Sequence, residues 1–276
     1  MAPARARVHT FVIFDSGSDL VKSFNQIHRL FTKFLLTNQL LCGIMIIVNK
    51  KGLDTLAKKK YFIVIDTETT NGLDCPLVYD MGFTVIDKRG IAYETYSFVI
   101  YDIFVECADY METAYYREKI PQYEKDIAEG KRKLVRFTTA RNILHYLVKK
   151  YNASAIIAHN MRFDLNALNT TYRYITSSRY RYFFPYGVEI WCTLAMARSV
   201  IGKQTTYKIW CTINGFTTKN GTPRFTAEIL YRYITDNLEF IESHTGLEDT
   251  LIEKEIFAYC VRQKKKMQRT YWRETA

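Results

Sequence analysis

The sequence predicts an α/β protein built on a mixed β-sheet with helices on both faces. Three patterns indicate this class. The continuous apolar run YFIVID, residues 61–66, is typical of a central strand that is buried on both faces. The segments LVYDMGFTVID and AYETYSFVI flank KRG at residues 88–90 and predict an antiparallel hairpin. Farther along the chain, strand-like and helix-like segments alternate, as expected for strands joined by helices.

The later elements follow one another in a regular order. ASAIIAHN followed by FDLNAL, within residues 153–168, predicts a second buried strand and then a helix. GVEIWCTLAMARSV, residues 187–200, predicts the same pair of elements. GLEDTLIEKEIFAYCVRQ, residues 246–263, predicts an amphipathic helix because its apolar residues recur at three- and four-residue spacing. Residues 106–150 are expected to be helical, with a break near Pro121 and another at Gly130.

Basic residues concentrate at the two ends of the chain. Residues 1–60 carry ten Lys/Arg against three Asp/Glu, residues 262–276 carry six against one, and the intervening residues carry 23 against 24. Basic ends suit a polyanionic partner such as nucleic acid, and a charged segment kept for solubility is the alternative. We therefore expect an N-terminal extension over 1–58, a globular domain over 59–262 and a basic C-terminal tail over 263–276.

The first 44 residues differ in character from the rest of the chain. An organelle-targeting peptide, an added helix, and an upstream translated segment before an ordinary start at Met45 are open alternatives. The apolar segment 34–48 is only 15 residues long and contains polar residues, so it is too short for a membrane span. Six cysteines without a CxxC pair or zinc-like spacing indicate reduced thiols. We expect an intracellular, cytoplasmic protein without a membrane partner, located in the host cytoplasm if its origin is viral.

Two carboxylates follow the first predicted strand. Asp66 and Glu68 in IDTET emerge on one face of the strand and Thr67 on the other, because side chains alternate along a strand. The two acidic groups repel each other there. A divalent cation that prefers oxygen ligands, such as Mg²⁺ or Mn²⁺, removes that cost. For this motif alone, an acidic pair merely exposed at a loop is the plainer alternative.

Two later motifs add a carboxylate and an imidazole. In AHNMRFDLNAL, Asp164 falls near the start of a helix, where the helix dipole and free amides favour its charge. The alternative for this aspartate is a helix cap without chemistry. In ESHTGLEDTLIEKEIF, His244 precedes Asp249 by five residues. A histidine beside a metal-held water can accept a proton from that water near neutral pH, and an ordinary surface histidine is the alternative.

Taken together and in this order, the motifs resemble the DEDDh class of 3′→5′ exonucleases, which are DnaQ-like and share the RNase H-like fold. The residues that carry the resemblance are Asp66 and Glu68 in IDTET, Asp164 in HNMRFD, and His244 with Asp249 in HTGLED. A sister class carries tyrosine four residues before the last aspartate, where this chain has Thr245. The family often has alanine at the position of Gly246, which is a mild departure.

The resemblance implies that residues 59–262 form an exonuclease domain that removes nucleotides from single-stranded or frayed 3′ ends of DNA. The implied ligands of two Mg²⁺ or Mn²⁺ ions are Asp66, Glu68, Asp164 and Asp249, and the implied general base is His244. The residues implied to approach the terminal nucleotide are Thr67, Thr69, Asn160 and Phe163. The implied role is proofreading beside a polymerase or another replication partner, or end-trimming by the chain alone.

Two alternative functions remain open at this point. One is an RNA-trimming 3′→5′ exoribonuclease of the same superfamily, and the other is a catalytically inactive nucleic-acid-binding module. All five site positions carry the expected chemistry, which disfavours the inactive module. The segment TYRYITSSRYRYFFPYG, residues 171–187, interleaves arginine with aromatic residues. This composition suits either stacking on unpaired bases or packing in a helix with its arginines extended to solvent.

Overall fold

The computed structural model describes residues 60–70, 74–180 and 182–271. The predicted extension over 1–58, including the segment before Met45, therefore lies outside the described residues. Within them, none of the helices combines the length and the apolar character that crossing a bilayer requires.

Six strands form one mixed sheet with the order β4-β3-β2-β1-β5-β6. The strands are β1 Tyr61–Thr70, β2 Leu77–Asp87, β3 Ala92–Ile100, β4 Lys133–Val135, β5 Ala155–Ala158 and β6 Glu189–Cys192. Strand β2 runs antiparallel to both of its neighbours, whereas the β3–β4, β1–β5 and β5–β6 pairs are parallel. The antiparallel β2–β3 hairpin is the one predicted around residues 88–90.

In the described part of the chain, eight α-helices accompany the sheet. They are α1 Tyr101–Phe104, α2 Ile120–Ala128, α3 Phe137–Tyr151, α4 Arg162–Thr176, α5 Thr193–Val200, α6 Thr205–Ile213, α7 Ala227–Thr235 and α8 Gly246–Arg262. Short 3₁₀ segments lie at Ala108–Thr113, Arg117–Lys119 and Ile201–Lys203.

Helices cover both faces of the sheet, as two successive residues of β1 show. Tyr61 lies against Tyr151 of α3, with 5.1 Å between the ring centroids. Phe62 points to the opposite face and lies against Phe257 of α8, with the ring centroids 4.8 Å apart. On that second face Phe62 joins a buried core with residues of α5, α6, α7 and α8. The predicted α/β class, with a mixed sheet and helices on both faces, is confirmed.

The prediction of a helical region over 106–150 holds at its two breaks and is wrong for one segment. Helix α2 begins at Ile120, with Pro121 in its first turn, where the missing N–H costs no hydrogen bond, and the chain turns after this helix at Gly130, whose φ is 74°. Residues Lys133–Val135 form the edge strand β4, which pairs with β3. Three residues are too few for a hydrophobic period to show, and the pairing partner lies far away in sequence.

The C-terminal segment after α8 packs along the sheet edge as far as it is described. The backbone N–H of Cys192 in β6 donates a hydrogen bond to the carbonyl oxygen of Arg269 at 2.6 Å. The backbone N–H of Gln268 donates to Ser199 Oγ at 3.0 Å. The guanidinium of Arg269 lies 4.7 Å from the ring centroid of Trp191. This part of the predicted basic tail is therefore in contact with the domain.

Helix α8 begins directly against β2. A Cβ atom placed on Gly82 would lie 2.2 Å from the carbonyl oxygen of Gly246, and one on Gly246 would lie 2.7 Å from the backbone nitrogen of Gly82. Both distances are far below the normal contact distance of a carbon atom, so glycine is required on each side. The approach is fixed by the carboxylate of Asp80 in β2, which accepts the backbone N–H of Gly246 at 2.8 Å. An alanine at position 246 is therefore not a mild change in this chain.

We expect Gly82→Ala to force β2 and α8 apart and to lower the free energy of unfolding by about 1–3 kcal/mol, as overpacking of a close contact does. Denaturant unfolding of the purified variant measures this change. A free energy of unfolding within about 0.5 kcal/mol of wild type would show that the two backbones do not need this contact.

Candidate active site

The predicted acidic pair lies at the end of β1 and lines a cleft of about 1150 Å³. Asp66 and Glu68 both face this cleft. Thr67 between them is only 5% exposed, and its hydroxyl donates a hydrogen bond to Asp164 Oδ1 at 2.9 Å. The alternation of side chains along the strand thus separates the two carboxylates from the threonine, as predicted.

Asp249 reaches the acidic pair from the first turn of α8. One carboxylate oxygen from each of Asp66, Glu68 and Asp249 lies within 4.8 Å of the other two. Asp249 Oδ1 is buried without a hydrogen-bond partner among the described residues. Buried polar atoms normally have partners, and three carboxylates at this spacing suit a hard divalent cation. The residues present therefore fit the predicted metal.

Asp164 occupies a different position from the other predicted ligands. It is the third residue of α4, it is 2% exposed, and its carboxylate accepts the Thr67 hydroxyl. It is not among the residues that line the cleft. It nevertheless lies near Asp66, because its negative charge is one of the causes that raise the pKa of that carboxyl. In the structure Asp164 is adjacent to Asp66 but outside the group of three.

Two further carboxylates at this cleft were missed by the sequence analysis. Glu253 of α8 is 2% exposed; its Oε1 accepts the backbone N–H of His159 at 2.8 Å, and its Oε2 is buried without a partner among the described residues. Its sequence signal was the four-residue spacing from Asp249, which puts both on one helix face. Glu242 lines the cleft beside His244, and its carboxylate lies 3.8 Å from Nδ1 of that histidine.

Partial or full burial, together with crowding, raises the pKa values of these carboxyl groups. Burial is the largest cause for each group, and neighbouring negative charges add to it. The pKa of Asp249 rises to about 8, that of Glu68 to about 9, and that of Asp66 well above its usual range. Burial also raises the pKa of Asp164 to about 7. Ionising these groups together at neutral pH costs free energy unless a cation compensates their charge.

His244 lines the same cleft and is held from two sides. Its ring stacks on Tyr116, with 4.5 Å between the centroids and 10° between the planes. Its carbonyl oxygen accepts a hydrogen bond from Lys119 Nζ at 3.4 Å. Its imidazole also lies within 4.8 Å of carboxylate oxygens of Glu242 and Asp249. Burial, with the charge of Lys119, lowers the pKa of the imidazole, so the neutral form that can accept a proton is favoured at pH 7.

The second histidine of the cleft, His159, is structural. Its Nε2 lies 2.8 Å from the carbonyl oxygen of Phe225, to which it donates, and its Nδ1 lies 3.0 Å from the hydroxyl oxygen of Thr193, from which it accepts. Burial lowers its pKa to about 4. Because both ring nitrogens are engaged, this imidazole links β5, α5 and the loop before α7 and is not a base.

The four residues predicted to approach a terminal nucleotide differ in whether they line the cleft. Asn160 lines the cleft and has a left-handed backbone, with φ of 62°. The hydroxyl of Thr67 is engaged by Asp164. Thr69 and Phe163 are partly buried, and neither is among the described residues that line the cleft. The structure therefore brings one of these four side chains to the cleft.

The arginine- and tyrosine-rich segment 171–187 has both buried and exposed aromatic rings, so each of its two predicted alternatives, packing and base stacking, applies to part of it. Phe183 and Phe184 are buried, whereas the rings of Tyr180, Tyr182 and Tyr186 are largely exposed. Part of the segment therefore packs into the domain and part presents aromatic faces to solvent.

Positive charge also lines the cleft. Arg198, Lys208 and Arg224 are among its lining residues, together with the carboxylates described above. Guanidinium and ammonium groups bind phosphate oxygens through charge-assisted hydrogen bonds. The cleft can therefore hold an anionic chain at its basic residues while its acidic residues hold cations.

A buried arginine, which no motif in the sequence singles out, fixes the start of α8. Arg132 is 4% exposed; it donates to the carboxylates of Asp126 and Glu248 at 3.0–3.1 Å, and its Nη1 lies 3.6 Å from a carboxylate oxygen of Asp80. Asp80 in turn accepts the N–H of Gly246. The network ties α2, β2 and the first turn of α8 together, which fixes the helix that carries Asp249.

No protein-family model and no curated protein sequence matches the chain. Several solved structures resemble it in fold. E. coli exonuclease I in complex with a 5cy-dT13 oligonucleotide is 17% identical, with 75% of this chain and 41% of that chain covered and a TM-score of 0.49. Exonuclease I from Methylocaldum szegediense is 15% identical, with 75% and 41% covered and a TM-score of 0.45.

Cell-death related nuclease 4 (CRN-4) is 11% identical, with 76% of this chain and 67% of that chain covered and a TM-score of 0.42. The alignments span less than half the length of the two exonuclease I chains.

Without divalent cations, we expect the melting temperature to fall as pH rises from about 5 to about 9. The folded protein keeps protons on Glu68 and Asp249, whose pKa values are about 9 and about 8, whereas the unfolded chain releases them near pH 4–4.5. Stability is therefore greatest below the unfolded pKa values and is lost as pH rises through the folded ones. Saturating Mg²⁺ should reduce this dependence, because a cation favours the ionised carboxylates.

Thermal unfolding followed by circular dichroism in EDTA and in Mg²⁺ measures both profiles. The double variant Glu68→Gln/Asp249→Asn should show a weaker pH dependence in EDTA and keep the part that Asp66 and Asp164 contribute. Asp236→Asn, which replaces an exposed aspartate, should retain the full dependence. A wild-type melting temperature that rises between pH 5 and 9 in EDTA would contradict the raised pKa values.

Proposed function

We propose that this chain is a metal-dependent 3′→5′ exonuclease that removes nucleotides from the 3′ ends of DNA. The observation that carries the proposal is the convergence of Asp66, Glu68 and Asp249 in one cleft, with His244 within reach of Asp249. These residues come from segments that are far apart in the sequence. Their order along the chain is the order of the DEDDh exonuclease motifs that the sequence resembles.

The donor set supports a site for two Mg²⁺ or Mn²⁺ ions. Asp66, Glu68 and Asp249 would hold them, with Asp164 as a fourth carboxylate beside Asp66. The unpaired buried oxygens of Asp249 and Glu253 are further available donors. When bound, such ions polarise the phosphate, lower the pKa of a bound water and stabilise the leaving oxygen.

His244 is the proposed general base. The neutral imidazole accepts the proton of the attacking water, and the lowered pKa of His244 keeps that neutral form available at pH 7. The stack on Tyr116 and the hydrogen bond from Lys119 hold the ring and its backbone in place. A fixed ring is important because proton transfer requires the base within hydrogen-bond distance of the water.

The basic residues of the cleft orient the substrate. Arg198, Lys208 and Arg224 bind phosphates of the strand, so that the terminal linkage lies over the carboxylates. We propose single-stranded or frayed 3′ ends as substrates. The same reaction serves end-trimming by this chain alone or proofreading beside a polymerase or other replication partner.

We expect 5′-labelled single-stranded DNA to shorten from its 3′ end in Mg²⁺ or Mn²⁺ and to stay intact in EDTA. Asp66→Asn should lower the rate at least about 10³-fold, because bound metal supplies several kcal/mol of transition-state stabilisation. The matched control is Asp236→Asn, at an exposed position, which should keep the wild-type rate. Denaturing gels of DNA and RNA oligonucleotides of equal sequence measure these rates.

Three other outcomes would contradict the proposal. Release from RNA but not DNA would assign the exoribonuclease alternative. Oligonucleotide binding without release in any metal would assign the inactive binding module. A wild-type rate in Asp66→Asn would show that this carboxylate is not a metal ligand.

His244→Ala should lower the rate by about 10²–10⁴-fold, the usual contribution of a general base. In the wild type, the rate should rise with pH through the lowered pKa of His244, below about 6.5, and the variant should lack this rise. Rates measured from pH 5 to 8, with Mn²⁺ affinity measured by calorimetry, separate this role from metal binding. An unchanged pH profile in the variant would exclude His244 as the base.

A further inference from the structure

A second cavity of about 520 Å³ adjoins the cleft that holds the carboxylates. The two spaces have three lining residues in common, Asn160, Leu194 and Arg198. They therefore meet at these side chains and form one extended groove.

The two parts of this groove differ in charge. Five carboxylates line the first part: Asp66, Glu68, Glu242, Asp249 and Glu253. No acidic residue is among the described residues that line the second part, which contains the guanidinium groups of Arg162 and Arg198. Both arginines are exposed, and within residues 60–70, 74–180 and 182–271 neither pairs with a carboxylate. The second part can therefore bind an anion without first breaking an ion pair.

The C-terminal segment forms one wall of the second cavity. Gln268 and Tyr271 line it. The hydrogen bonds from Cys192 to Arg269 and from Gln268 to Ser199 anchor this segment to β6 and α5. The wall is therefore held by specific backbone contacts with the domain.

We propose that the second cavity binds the phosphodiester backbone of the substrate strand on the 5′ side of the scissile linkage, through Arg162 and Arg198. This proposal rests on the proposed function. The 3′-terminal linkage lies at the carboxylates, and the strand continues past Arg198 into the second cavity. Arginine suits this position because its planar guanidinium binds two phosphate oxygens at once. The preference is for an unpaired strand, because its flexible backbone can follow a groove that joins two cavities.

The first test is equilibrium binding of fluorescein-labelled dT10 whose 3′-terminal linkages are hydrolysis-resistant phosphorothioates, in Mn²⁺. Arg162→Gln should raise the Kd about tenfold, as the loss of a charge-assisted contact does. The negative slope of the logarithm of the association constant against the logarithm of the salt concentration should become shallower by about 0.7. Lys88→Gln removes the same charge from the exposed turn between β2 and β3 and is the matched control. It should bind dT10 as the wild type does.

The second test compares two substrates in steady-state hydrolysis. The p-nitrophenyl ester of thymidine 5′-phosphate has the scissile linkage but no phosphate on its 5′ side. Arg162→Gln should raise KM about tenfold more for dT10 than for this ester. An equal rise for both substrates would place Arg162 at the terminal nucleotide and would overturn the proposal.

The two tests separate this proposal from the proposed function. Wild-type binding of dT10 by Arg162→Gln would overturn the second cavity as a strand site, even if hydrolysis proceeds. Weaker binding by Arg162→Gln, with no hydrolysis of either substrate by the wild type, would support the strand site and contradict the exonuclease proposal.

Discussion

The mutual repulsion of closely spaced, partly buried carboxylates is the constraint around which this domain is organised. Oxygens of Asp66, Glu68 and Asp249 lie within 4.8 Å of one another. The negative charge of Glu253 raises the pKa of Asp66 further. Such a group is unfavourable by itself at neutral pH, since each charge is both desolvated and repelled. A divalent cation reverses this balance, because it converts the repulsion into shared coordination. Metal affinity and the stability of the fold are then coupled through the same side chains.

The fold holds this group together by fixing the start of α8 to the sheet. Gly82 and Gly246 allow the two backbones to touch, and Asp80 binds the N–H of Gly246. Arg132, bonded to the acidic groups of neighbouring elements, lies against Asp80 and holds it in place. These contacts come from residues that carry no catalytic chemistry themselves. They set the position of Asp249 relative to the end of β1, on which the site depends.

Local patterns were sufficient for the long strands, for the helices that follow them and for the acidic pair. The alternation along β1 places Asp66 and Glu68 in the cleft, and the helix after Gly246 carries Asp249 to them. The mixed sheet also follows from buried runs separated by helices. These features depend on periods of two and of three to four residues, which a single sequence displays directly.

Features set by contacts between distant segments could not be predicted in this way. The strand Lys133–Val135 exists because β3 offers it a partner. The carboxylate of Asp164 accepts the hydroxyl of Thr67, 97 residues away, and Arg132 is buried by contacts with α2, β2 and α8. The docking of the C-terminal segment on β6 likewise has no periodic signal. In each case the partner lies tens of residues away, so that only the folded chain brings the two groups together.

The most direct test of the account is anomalous diffraction from crystals of the protein grown at neutral pH and soaked in Mn²⁺. We predict an anomalous peak within coordination distance of carboxylate oxygens of Asp66, Glu68 and Asp249, absent from crystals of Asp249→Asn. If manganese is instead absent from this cleft in the wild type, with the three carboxyl groups hydrogen-bonded to one another, the acidic group is a protonated cluster and not a metal site.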